Sequence, residues 1–210
     1  NSACLAAYGL TPAHLLAEAG ALGPRTTAVH ATHLTGPDVW LLGGSGTAVA
    51  MCPTTERDLA DGIGPARALA DAGSPISLGS DSHAVIDPFA EARAVELDAR
   101  LATGRRGHFA GADLLAAATR HDTLGWADAG RIAPGALADL VTVRLNSPRL
   151  AGAGADHAVD AVVFAATAAD VRAVVVAGRQ VVRDGRHTTI DVPAELTAAL
   201  SEVFSRKPQR

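Results

Sequence analysis

The chain is poor in aromatic rings, in cysteine and in net charge. Phe, Trp and Tyr make up 3% of its 210 residues, leaving few platforms on which single-stranded nucleic acid could stack. The net charge is −4 with both signs interspersed. No basic stripe marks a phosphate-binding face, so nucleic acid is not an expected partner. Two cysteines, Cys4 and Cys52, exclude a disulfide framework and a Cys-rich zinc site. No apolar run reaches the roughly 20 residues of a membrane span. No membrane partner is therefore expected, and a cytoplasmic location is. Gly43-Gly44-Ser45-Gly46 lacks the trailing Lys of a phosphate loop, and there is no Gly-x-Ser-x-Gly elbow. An initiator Met is missing too, because the chain begins Asn1-Ser2-Ala3.

What is present is a regular alternation. Residues 3–20 read as helical, with Thr11 as a cap and Pro12 at the first helical position. Thr26 to Val29, Thr47 to Met51 and Ile76 to Leu78 are short β-branched or apolar runs that read as strands. Asp38 to Leu42, interrupted after it by Gly43 and Gly44, and Pro65 to Ala72, closed by Gly73, read as the helices between them. Strand, helix, strand, helix, strand with short linkers is the pattern of parallel βαβ units. Right-handed crossovers set the ends of such strands side by side. Residues 88–103 form an amphipathic helix with Phe89, Ala92, Val95 and Ala99 on one face, and Asp113 to Arg120 another. From Gly130 the pattern changes. Residues 140–143, 159–164, 171–176 and 180–182 read as a small antiparallel sheet, followed by a helix at about 193–204.

The expected fold class is α/β: the C-terminal part of a (β/α)8 TIM-type barrel plus part of a small β-sandwich. Residues 1–129 are assigned to the barrel, 130–190 to the sandwich and 191–210 to a terminal helix and tail. Three βα units fall short of the roughly 250 residues of a whole barrel, so the chain is expected to be the C-terminal half of a longer protein.

Each strand candidate runs into residues that can do chemistry. Val29-His30-Ala31-Thr32-His33-Leu34, Met51-Cys52-Pro53-Thr54-Thr55-Glu56 and Leu78-Gly79-Ser80-Asp81-Ser82-His83 lie at C-terminal strand ends, where barrel enzymes gather their catalytic groups. Asp81 is a candidate to bind a cation or move protons; the plainer reading is a turn or cap aspartate. His30 is a candidate to hydrogen-bond a leaving group or an attacking water, while His33 is read as an ordinary imidazole. Thr55, Glu56 and His83 are candidate substrate contacts at the rim, against a plain proline stop and helix cap. Cys52 has no evident paired base and reads as a buried structural thiol.

These residues resemble the amidohydrolase superfamily, in its cytosine-deaminase-like branch. The likeness is carried by His30 in its Val-His-Ala-Thr-His-Leu setting, by Gly79-Ser80-Asp81, and by Gly130-Arg131-Ile132-Ala133-Pro134-Gly135-Ala136-Leu137-Ala138-Asp139-Leu140. The last resembles the segment by which such chains return from barrel to sandwich. Cys-Pro-Thr-Thr-Glu with Asp61-Gly62-Ile63, followed by Gly-Ser-Asp-Ser-His, is most similar to the formimidoylglutamate deiminases of histidine breakdown. The resemblance implies one zinc ion, with Asp81 as the strand-eight ligand and proton carrier and His30 as the strand-six histidine beside substrate. The other ligands would lie upstream of residue 1. The implied reaction is hydrolysis of a formimino C–N bond with release of ammonia. Alternatives are a guanine or cytosine deaminase, a triazine-type hydrolase, or a non-catalytic fragment. The implied partner is a small-molecule substrate, with a homodimer as the commonest soluble assembly.

Overall fold

Helix caps set the first turns of the chain. A computed structural model describes residues 1–82 and 85–205. The one helix expected over residues 3–20 is two. Gly9 turns left-handed at φ 67° and ends α1 (Ser2–Tyr8), where a residue without a Cβ is the easiest fit. Thr11 then caps α2 (Pro12–Glu18), its hydroxyl accepting from the His14 N–H at 3.2 Å.

The three strand candidates form β1 (Thr27–Val29), β2 (Ala48–Met51) and β3 (Ile76–Leu78). They pair in parallel in the order β1-β2-β3, with Val29 opposite Ala50 and Met51 opposite Leu78. The chain crosses between them through α3 (Gly36–Ser45), α4 (Pro53–Asp58) and α5 (Ala66–Ala72). β2 is central, and its Val49 and Met51 are buried in a core with Leu42, Leu69, Ile76, Val95, Leu114 and Val163. The last three belong to α6 (Pro88–Thr103), α7 (Gly111–Ala118) and α8 (Ala158–Ala165). On α6, Ala92 and Val95 are buried and Phe89 and Ala99 half-buried, as the expected apolar face requires.

Two further expectations are corrected. Gly43 and Gly44 do not interrupt α3, which runs through both to Ser45. Gly43 is where α3 meets α5: a Cβ there would run into the carbonyl and Cβ of Ala72. Residues 159–164, expected as a strand, lie in α8. Its buried positions, Val163 and the capping Ala166, are three apart, which is helical spacing rather than the alternation of a strand. The β-branched content misleads because packing against α6 and α7 overrides local preference.

The second sheet is antiparallel and has four strands: β4 (Leu140–Val143), β5 (Val171–Val176), β6 (Arg179–Arg183) and β7 (Arg186–His187). Ala177 and Gly178, both at positive φ, make the two-residue turn between β5 and β6. Just before β5, Asp170 is buried, and its two oxygens accept from Nε and Nη2 of Arg149, each at 2.9 Å. The last helix, α9 (Val192–Ser205), has no buried residue. Among the described residues no helix is long and apolar enough to cross a membrane.

The two helical glycines separate packing from propensity. Gly43→Ala should destabilise the protein by about 1–3 kcal/mol, because the helix pair must part. Gly44→Ala meets nothing within 4 Å and should be neutral or stabilise by up to about 1 kcal/mol. Urea unfolding of both variants checks the pair, and equal effects would overturn this account of Gly43.

Candidate active site

Three strand ends lie level, so the turns after β1, β2 and β3 open on one side of the sheet. The first turn is sharp. His30 keeps its backbone bond to Ala50 O at 2.9 Å, then His30 and Ala31 both adopt left-handed angles, φ 66° and 50°. Such angles are costly for residues with a Cβ and concentrate at functional sites. Here they fold the imidazole back across the end of β2. At the third turn it is Asp81, at φ 42°, that takes the left-handed conformation. Gly79 serves packing instead: its missing Cβ leaves room for Cys52 Sγ, which a methyl group would meet at 3.2 Å.

The two turns bring His30 Nε2 within 3.8 Å of Asp81 Oδ2. Both side chains are open to solvent, His30 at 31% and Asp81 at 40% of full exposure. Between them and the core stands Glu56, whose side chain is only 4% exposed. Its Oε1 accepts the Cys52 backbone N–H at 2.9 Å and lies 3.4 Å from His30 Nδ1. Burial pushes the Glu56 carboxyl above its ordinary value, opposed by the hydrogen bonds from Cys52 and His30.

The rim contacts expected of Thr55 and Glu56 are not where these side chains lie. α4 starts directly after β2, at Pro53, and turns both inward. Thr55 is fully buried. Its hydroxyl meets Ser82 Oγ at 3.0 Å and accepts the Ser82 N–H at 3.2 Å, pinning the turn that carries Asp81. His83 lies outside the described residues. His33 is exposed.

Sequence reasoning missed Glu91. This buried residue of α6 accepts both the N–H and the hydroxyl of Thr54, fastening the start of α4. The signal was available: Glu91 and Val95 fall one helical turn apart, so an acid sits at a core position. Such a group needs hydrogen-bond partners. Cys52 is 2% exposed. Burial, followed by the nearby Asp81, Glu56 and Glu91 carboxylates, pushes its thiol up to about 12. A thiol that stays protonated at neutral pH is a poor nucleophile.

Among the described residues, no three His, Cys, Asp or Glu side chains are grouped so as to hold a metal ion. The site as this chain builds it is therefore one exposed carboxylate, one imidazole and a buried acid behind them.

Comparison with known proteins gives this geometry a context. The model of the amidohydrolase family matches residues 1–181. The chain is 37% identical over 192 residues to formimidoylglutamate deiminase of Pseudomonas aeruginosa, covering 88% of the chain and 42% of that protein. It is 34% identical over 206 residues to a 5-methylthioadenosine/S-adenosylhomocysteine deaminase of Natronomonas pharaonis, covering 94% and 47%. The crystal structure of an adenosine deaminase from Xanthomonas campestris with bound zinc superposes with a TM-score of 0.85 at 27% identity, covering 95% of this chain and 46% of that one. The chain thus spans a little under half the length of these relatives.

Thiol alkylation tests the Cys52 environment. In the native protein at pH 7.5, iodoacetamide should leave Cys52 unmodified while the more accessible Cys4 reacts, as read by peptide mass mapping. Rapid modification of Cys52 in folded protein would contradict the raised value.

Proposed function

The chain belongs to the amidohydrolase family, and from that premise we propose that it builds one side of the active site of a zinc-dependent enzyme that hydrolyses a C–N bond and releases ammonia. In this reading β1, β2 and β3 are strands six, seven and eight of a (β/α)8 barrel, within residues 1–129. The antiparallel strands β4 to β7 belong to a sandwich domain assigned to 130–190, although α8 of that span packs with α6 and α7, and α9 is the terminal helix. The observation that carries the proposal is the meeting of His30 and Asp81 in one solvent-open mouth, 3.8 Å apart.

Zinc fits the donor present, since Asp81 offers an exposed carboxylate oxygen of the kind zinc accepts. Asp81 would be this chain's one ligand; the others would come from the portion of the relatives' length that the chain does not span. When bound, zinc lowers the pKa of its water towards neutrality. The chain's own groups then divide the remaining work. Asp81 Oδ2, the oxygen nearer His30, is placed to take a proton and return it to the departing nitrogen. His30 Nε2 is placed to hydrogen-bond the group under attack. The water oxygen ends on the substrate carbon and ammonia leaves.

Formimidoylglutamate is the substrate we propose. The relative at 37% identity supports it. So does the absence of Phe, Tyr and Trp from residues 30–35, 52–56 and 79–82, because a planar base is ordinarily held between rings. A purine nucleoside is the second reading, favoured by the relative at 34% identity.

In the complete protein, Asp81→Ala should lose both zinc and ammonia release. His30→Ala should retain zinc and lower kcat by about 10²- to 10⁴-fold, the range of a general acid–base contribution. Metal analysis and an ammonia assay on the same samples check both. A fully active, zinc-replete Asp81→Ala protein would end the proposal. Ammonia release from formimidoylglutamate but not from 5-methylthioadenosine is the expected substrate result, and the reverse would establish the second reading.

A further inference from the structure

Building on the role given to His30 above, we propose that Glu56 is a positioning residue: it holds the His30 ring with its proton on Nδ1, so that the unprotonated Nε2 faces the mouth beside Asp81. Three observations support this. First, Glu56 stands behind the imidazole and out of reach of substrate, with 4% of its side chain exposed against 31% for His30. Second, its Oε1 is itself fixed. It accepts the Cys52 N–H at 2.9 Å, the backbone donor at the junction of β2 and α4, so the carboxylate belongs to the rigid end of the central strand. Third, the two ring nitrogens are not equivalent. Nδ1 lies 3.4 Å from Glu56 Oε1, within the outer reach of a hydrogen bond, whereas Nε2 lies 3.8 Å from Asp81 Oδ2, beyond it.

Oε1 already accepts the Cys52 N–H and so acts as an acceptor, and the ring nitrogen facing it carries the proton. In the neutral ring that leaves Nε2 as an acceptor. The left-handed angles at His30 and Ala31 bend the backbone so that the ring can reach this partner, and the Glu56 bond helps offset that strain. The order is an imidazole oriented by a buried acid, as in other catalytic constellations where the orienting acid does not touch substrate.

The test reads the tautomer directly, apart from turnover. Two-bond ¹H–¹⁵N correlation spectra of the complete ¹⁵N-labelled protein, with His30 assigned from the His30→Ala spectrum, should show Nδ1 protonated and Nε2 bare. Glu56→Ala should lose that preference and reduce kcat by about 10- to 100-fold, the usual cost of removing a group that orients a ligand or base, with KM little changed. Glu56→Gln, whose amide oxygen can still accept from Nδ1 and from Cys52, should restore the tautomer and most of kcat. An Nε2-protonated His30 in the unmodified protein, or an unchanged tautomer in Glu56→Ala, would overturn the proposal. The unmodified spectrum decides the point even if Glu56→Ala fails to fold. Protein with the expected tautomer that releases no ammonia from any substrate would count against the proposed function and leave the positioning role standing.

Discussion

The pairing of β2 with a parallel neighbour on each side is the constraint from which the site follows. Ala50 opposite Val29 and Met51 opposite Leu78 fix the strands in a register that ends them together. A histidine from one turn and an aspartate from another, far apart in sequence, then become neighbours. Parallel strands packed against helices hold their register firmly, since a one-residue slip would turn Val49 and Met51 out of the core. Chemistry placed at such strand ends rests on a frame that does not need the loops to be rigid.

Buried acids add a second layer of order. Glu56 ties the end of β2 to His30, Glu91 ties α4 to α6, and Glu96 accepts the Gly107 and Phe109 N–H groups while pairing with Arg100. Asp38 holds Thr35 at the start of α3 and reaches His14 on α2 and its cap Thr11. Each sits where loose backbone donors would otherwise be buried without partners. They act as joints between elements that hydrophobic contact alone would leave free to slide.

Much of this was legible in the sequence. The three strands, the amphipathic α6 and the meeting of His30 with Asp81 follow from apolar runs that stop at chemistry-bearing turns, and such runs are local signals. The places where reading failed are those decided by contact across the chain. Gly43 looked like a break and is a crossing point, because nothing local reveals that Ala72 lies against it. Val159 to Phe164 looked like a strand, because β-branched residues carry the same letter pattern in a short helix packed on two others. Thr55 and Glu56 looked like rim residues because polar side chains after a strand ordinarily face water, and the immediate start of α4 turns them inward.

The sheet ends, on either side, in a bare strand. Among the described residues the order β1-β2-β3 gives the outer edges of β1 and β3 no partner strand. Both edges are short but neither carries the lysine or proline by which lone sheets discourage additions. Two copies of this sheet therefore offer each other backbone donors and acceptors along those edges. Association of the chain should accordingly grow with its concentration.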